Sequence, residues 1–109
     1  MDSLNEYQQE VKKLCFYPNH GTDIIYPTLG LCGESGEVAE KVKKCIRDTG
    51  GNFALVKDDL VKELGDVLFY LAAIALELRV DFSEVAKQNI EKLKSRNARG
   101  TQRGSGDNR

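Results

Sequence analysis

Two pairs of carboxylates stand at matched spacing in this chain. Glu34 and Glu37 lie within Gly33-Glu34-Ser35-Gly36-Glu37, and Glu63 and Asp66 within Lys62-Glu63-Leu64-Gly65-Asp66. On a helix, acids three residues apart share one face, about 60° around the axis with Cβ atoms about 5–6 Å apart. Both pairs border apolar residues, and Asp66 is flanked by Leu64, Val67 and Leu68. A carboxylate at the edge of an apolar core is costly unless a cation compensates it. Four of them on neighbouring helices repel one another, and a divalent metal resolves that repulsion. The competing reading of the first pair is a solvated face on which Glu34 and Glu37 pair with Lys41 and Lys44.

The donor set narrows the metal. Four carboxylates are hard oxygen ligands, which favour Mg²⁺, with Mn²⁺ as its substitute. A di-iron bundle wants Glu-x-x-His pairs. The only histidine, His20, lies outside both acidic segments. Mg²⁺ keeps waters and shares its shell with substrate phosphates, so the chemistry points to phosphate. Further along, Asn89, Lys92 and Arg96 are spaced three and four apart and share a helix face. That face overlaps an apolar stripe, so Lys92 and Arg96 turn partly inward as phosphate clamps. The alternative is snorkelling, with packed stems and solvated heads. Lys44 lies one to two turns beyond the acids of its own helix. The segment Phe16-Tyr17-Pro18-Asn19-His20-Gly21 offers rings that stack on a base and polar groups that read its edge. Phe16 as a plug at the end of the helices is the equal alternative.

The elements that position these groups are all helical. Leu4, Tyr7, Val11, Leu14 and Cys15 follow helical spacing, and Ser3 with Glu6 forms a capping-box start. Pro18, Asn19, Gly21 and Pro27 mark a loop from Phe16 to Pro27. A second helix is expected from about Thr28 to Arg47, closed by Asp48-Thr49-Gly50-Gly51-Asn52. A third begins near Lys57 or Asp58 and reaches about Arg79. Its second half, Val67 to Leu76, is apolar on every face and must be covered all round. A monomer of this size struggles to cover it, so a subunit interface is expected there. The fourth helix opens at Asp81, with Glu84 as its capping-box partner, and ends near Arg96. The tail 97–109 has no apolar periodicity and is expected to be flexible.

Composition sets the outer limits. The chain has 109 residues, with 40% hydrophobic and 30% charged residues, which suits one folded domain over residues 1–96. Such a domain buries only about 65% of its unfolded surface. Lys+Arg number 16 against 17 Asp+Glu, a balance that argues against a nucleic-acid partner. No uncharged run exceeds ten residues, the length of Val67 to Leu76, where a membrane helix needs about 20. The acidic, polar start Met1-Asp2-Ser3-Leu4-Asn5-Glu6 does not read as a secretory signal. Three cysteines without CxxC spacing are expected to be buried reduced thiols, which implies a reducing cytoplasm.

The residues also resemble a known family. Glu34-Ser35-Gly36-Glu37 followed by Glu63-Leu64-Gly65-Asp66 is similar to the paired acidic motifs of the MazG-like, all-α nucleoside triphosphate pyrophosphatase superfamily. The family pattern is Glu-Glu-x-x-Glu, a variable gap, then Glu-x-x-Asp; here 25 residues separate Glu37 from Glu63. Tyr26-Pro27-Thr28-Leu29-Gly30-Leu31 leads into the first motif, and Lys43-Lys44 and Arg47-Asp48 follow it. Asp66-Val67-Leu68-Phe69-Tyr70-Leu71 continues the second, and Asn89, Lys92 and Arg96 resemble the closing polar helix. The first Glu of the pattern is Gly33 here.

The resemblance covers roughly residues 4–96. It implies an all-α, four-helix MazG-like bundle assembled as a homo-oligomer, usually a tetramer of paired dimers. It implies hydrolysis of a (deoxy)nucleoside triphosphate to monophosphate and pyrophosphate, in bacterial or phage-infected cytoplasm. Carried over, the metal ligands are Glu34, Glu37, Glu63 and Asp66. The catalytic set is Glu37, Glu63, Lys92 and Arg96, with an acid, Glu37 being the candidate, orienting the water and the two cations neutralising the leaving group. Substrate binding falls to Asn89, Lys92, Arg96, Lys44, His20 and Phe16. The rival readings are a non-catalytic nucleotide- or metal-binding regulatory module and a plain helical interaction protein with solvated acids.

Overall fold

The computed structural model describes residue 1, residues 3–100 and residues 103–107. Its elements are α1 (Leu4–Leu14), α2 (Ile25–Thr49), a 3₁₀ turn (Phe53–Val56), α3 (Lys57–Glu77) and α4 (Phe82–Arg99). No strand occurs among the described residues, so the chain is all-α. No helix is long and apolar enough to cross a membrane among those residues.

Local chemistry explains most helix ends. The Ser3 side chain accepts from the Glu6 N–H at 3.0 Å and starts α1. α2 starts at Ile25, earlier than the expected Thr28. Pro27 sits in its first turn, where a missing N–H costs nothing because no intrahelical acceptor exists there. Gly50, at φ 69°, closes α2: its N–H returns to the Ile46 carbonyl, and the Gly51 N–H to the Cys45 carbonyl. Asp58 and Asp59 stand in the first turn of α3, complementing its dipole. α4 continues to Arg99, past the expected Arg96, because the helix-stopping glycine is Gly100 at φ 69°. Of the tail expected to be flexible, residues 101, 102, 108 and 109 lie outside the described residues.

The expected capping box of α4 is corrected. The Asp81 side chain makes no cap hydrogen bond. The first N–H groups of α4 are instead taken by α1: Phe82 N donates to Gln8 Oε1 at 3.0 Å and Ser83 N to Asn5 Oδ1 at 2.9 Å. Gln8 Nε2 donates onward to the Val80 carbonyl at 2.9 Å, and the residue is 2% exposed. One buried amide thereby satisfies both sides of the turn between α3 and α4.

Helix α3 is the hub. It packs against α1, α2 and α4, whereas α2 touches neither α1 nor α4. The arrangement is therefore flatter than a closed four-helix bundle. Val11, Cys15, Tyr17, Ala72, Ala73, Ala75 and Phe82 form the buried core. Alanines on α3 let α1 approach closely while the larger side chains fill the flanks. Between α2 and α3 the close point is Gly30, where a Cβ would collide with the Tyr70 ring. Cover over the apolar half of α3 is uneven: Leu71 stays exposed, as does Leu78 just past the helix end. The thiols divide as well. Cys15 and Cys45 are buried, but Cys32 is exposed, against expectation, because its side of α2 meets no other helix of the chain.

Candidate active site

α2 and α3 run side by side, and their paired acids face the seam. Glu34, Glu63 and Asp66 each offer one carboxylate oxygen, and these lie within 4.8 Å of one another. Glu34 and Glu63 are half-buried and Asp66 is exposed. The Glu34 carboxyl is pushed above its ordinary value, first by partial desolvation and then by the charges of Asp66, Glu63 and Glu37. That is the signature of anions held together without full compensation. The nearest compensating cation is Lys41, whose Nζ lies 3.9 Å from Glu63 Oε1. Oxygens this close, on half-buried carboxylates that repel, suit a hard divalent cation such as Mg²⁺.

Glu37 stands one turn beyond Glu34 and is exposed. It adds to the negative field on Glu34 without joining the three close oxygens. Glu37 lines a cavity of about 230 Å³ with Glu40, Lys41, Lys44 and Asp59. Lys44 pairs there with Glu40 at 3.7 Å, and Glu40 also holds Lys43 at 2.6 Å. Those lysines pull the Glu40 carboxyl below its ordinary value.

Tyr70, one turn after Asp66, is the neighbour that sequence reasoning missed. Burial raises its phenol ionisation, and the charges of Tyr26, Glu34 and Asp66 raise it further. The signal was present in two places: Tyr70 stands four residues after Asp66, on the same face, and Gly30 leaves room for a ring. Tyr70 also lines a cavity of about 270 Å³ with Phe16, Tyr17, Pro18, Tyr26 and Phe69. Tyr17 and Tyr26 are stacked, with ring centroids 5.2 Å apart. Phe16 is 84% exposed at this aromatic hollow, so it does not plug the helix ends. His20 lies elsewhere. It lines a second hollow with Lys12, Cys15, Glu77 and Arg79, its ring edge-on to Tyr17 at 5.8 Å.

Asn89, Lys92 and Arg96 form a separate cluster. Asn89 and Lys92 line a cavity of about 820 Å³ between α3 and α4, with Leu71, Ile74, Leu78 and Phe82. Arg96 is 4% exposed, and it and Lys92 both bond Asp107. Since α4 does not touch α2, a single chain holds the basic pair apart from the acids of α2.

The chain is similar to known proteins. The MazG nucleotide pyrophosphohydrolase domain matches residues 27–100, a span that contains both acidic motifs and the polar face of α4. The Gene 37 protein of Mycobacterium phage L5 is 45% identical over 109 residues, covering 94% of this chain and 96% of that protein. No solved structure matches the chain.

Proposed function

The chain belongs to the MazG nucleotide pyrophosphohydrolase family, and from that premise we propose that it hydrolyses (deoxy)nucleoside triphosphates to the monophosphate and pyrophosphate. The observation that carries the reading is the convergence of Glu34, Glu63 and Asp66 within 4.8 Å at the seam of α2 and α3. Glu34, Glu37, Glu63 and Asp66 would hold Mg²⁺, with Mn²⁺ as substitute. Bound there, the metal supplies charge neutralisation to the phosphate oxygens and acidity to a nearby water.

The protein's own groups do the rest. Glu37, the more solvent-accessible acid of the first motif, orients the attacking water and accepts its proton. A new oxygen–phosphorus bond forms at the α-phosphorus, the bond to the bridging oxygen breaks, and pyrophosphate leaves with both electrons of that bond. Glu63, beside Lys41, fixes the ligand set across the seam. Asn89, Lys92 and Arg96 bind the phosphates and neutralise the leaving group, and Lys44 adds positive charge beyond the acids. Since one chain keeps α4 away from α2, that role is met in a homo-oligomer, for which a tetramer is the expected form. The base stacks in the aromatic hollow at Phe16, with His20 on the far side of Tyr17. The setting is the reducing cytoplasm of a bacterial or phage-infected cell, which suits free thiols.

The test is incubation with Mg²⁺ and a panel of dNTPs. Pyrophosphate and monophosphate should appear in equal amounts; orthophosphate without pyrophosphate would exclude the reaction. Glu63→Gln should abolish turnover with helical content intact. Tight dNTP binding with no turnover at any divalent metal would favour a regulatory binding module instead.

A further inference from the structure

The basic pair of α4 already holds an anion, and it comes from the chain's own C-terminal segment. Lys92 Nζ donates to Asp107 Oδ1 at 3.1 Å. Arg96 Nη2 donates to the same oxygen at 3.3 Å, to the Asp107 carbonyl at 3.0 Å and to the Gly106 carbonyl at 3.3 Å. Three acceptors thus crowd one nitrogen of a guanidinium that is 4% exposed. The neighbouring Arg96 Nε is buried and has no hydrogen-bond partner among the described residues.

Nε and Nη2 form one edge of the guanidinium, built to grip two oxygens of a carboxylate or phosphate side by side. Arg47 uses its edge in that way: Nε meets Asp48 Oδ1 at 2.7 Å and Nη2 meets Oδ2 at 2.9 Å. Arg96 uses half of its edge and leaves a buried donor unsatisfied, which is costly. Asp107 is therefore an imperfect occupant, and its side chain, 82% exposed, is free to leave. A phosphate brings more charge and a second oxygen for Nε.

We propose that residues 103–107 are an autoinhibitory strap whose Asp107 carboxylate stands in for a phosphate on Lys92 and Arg96, and that a polyphosphate must displace it to bind. The proposal rests on the assignment of Lys92 and Arg96 to substrate phosphates. Lys92 and Arg96 hold the Asp107 carboxyl below its ordinary value, so the strap stays anionic at neutral pH.

Inorganic pyrophosphate is the probe, titrated calorimetrically into the full chain with EDTA present so that the acidic cluster holds no metal. Asp107→Asn should tighten pyrophosphate about two- to fivefold at low ionic strength, the range expected for relieving an exposed ion pair. Asp107→Lys should tighten it further, and the gain should shrink as salt screens the charges. Adding Lys92→Gln to Asp107→Asn should weaken binding again, which locates the probe at the pair. In the unaltered chain, pyrophosphate should return the Asp107 carboxyl toward its ordinary ionisation, read by NMR titration of that carboxyl. Unchanged affinity in both Asp107 variants, no binding in any form, or bound pyrophosphate with the Asp107 carboxyl still held below its ordinary value would each overturn the strap. Absent dNTP turnover with this competition intact would overturn the hydrolase reading alone. Turnover with one KM across the unaltered chain and both Asp107 variants would overturn the strap alone.

Discussion

Glu34, Glu63 and Asp66 stand close enough to repel one another, so a divalent cation bound there would couple metal binding to stability. A ligand that binds only the folded form stabilises it by mass action, about 2.7 kcal/mol when Mg²⁺ is 100-fold above its Kd. Asp66→Asn should remove most of that gain in thermal melts with and without Mg²⁺, and without metal it should leave the midpoint level or higher because one repelling charge is gone. A second residue-scale effect lies at Tyr17, whose hydroxyl donates to Glu77 Oε1 at 2.6 Å. Burial, then that bond, raise its ionisation well above the ordinary value. The folded state therefore keeps the proton longer than the unfolded state. The stability this contributes is whole below about pH 10 and is lost as pH rises through that value, at no more than about 1.4 kcal/mol per pH unit. Urea midpoints at pH 8 and pH 10.5 should show the fall, and Tyr17→Phe should lessen it without abolishing it, since Tyr7 and Tyr70 are raised as well. At this scale Glu34, Glu63 and Asp66 were legible as neighbours, because spacing along each helix is local, whereas Glu37 stands outside the three close oxygens. Tyr70 was not, because its place beside Glu34 depends on how closely two distant segments approach.

Element packing depends on a few contacts that no local pattern announces. The start of α4 looked self-capped by Asp81 and Glu84, yet Gln8 and Asn5, on α1, do the capping. Helix existence and class could be read from periodicity, but this partner lies 74 residues away in sequence. Gln8→Leu should leave the Phe82 N–H and the Val80 carbonyl buried and unpaired, at about 1–3 kcal/mol each. Equilibrium urea unfolding should register the loss as a lower midpoint, accompanied by faster amide exchange in α1. Two glycines of α2 make a sharper contrast. A methyl at Gly30 would run into the Tyr70 ring, so Gly30→Ala should destabilise by about 1–3 kcal/mol through overpacking. Gly33 has open space around its missing Cβ, so Gly33→Ala should stabilise the isolated helix pair by up to about 1 kcal/mol through helix propensity alone. Opposite signs from the same substitution three residues apart would test the packing of α2 on α3 directly.

At the scale of the whole molecule, one chain leaves its design unfinished. A compact domain of this length has a radius of gyration of about 13 Å, whereas this one has 16.6 Å and extents of 43 × 42 × 28 Å. The excess comes from α2, which only α3 and the 3₁₀ turn support, and the layout leaves apolar residues in the open: Leu29, Leu55, Val61, Leu64 and Leu71 among them. Scattered exposed leucines are ordinary, but a run of them along two adjoining helices marks an interaction surface. The all-apolar half of α3 pointed to a subunit interface from sequence alone, whereas the flat layout did not, since a helical pattern fixes which face is buried and not what buries it. A second copy would cover the surface and would bring another α4, with its Lys92 and Arg96, to the assembly. Light scattering on the eluting protein should therefore give a mass above the 12.2 kDa of one chain, and the thermal midpoint should rise with protein concentration, as mass action requires of an associating fold. Leu71→Lys, which sets a charge in the exposed groove of α3 without touching the acids, should shift the mass downward and flatten that concentration dependence. A monomer at tens of micromolar with a fixed midpoint would leave the open face of α3 unexplained, and with it the separation of acids from basic pair that assembly is invoked to close.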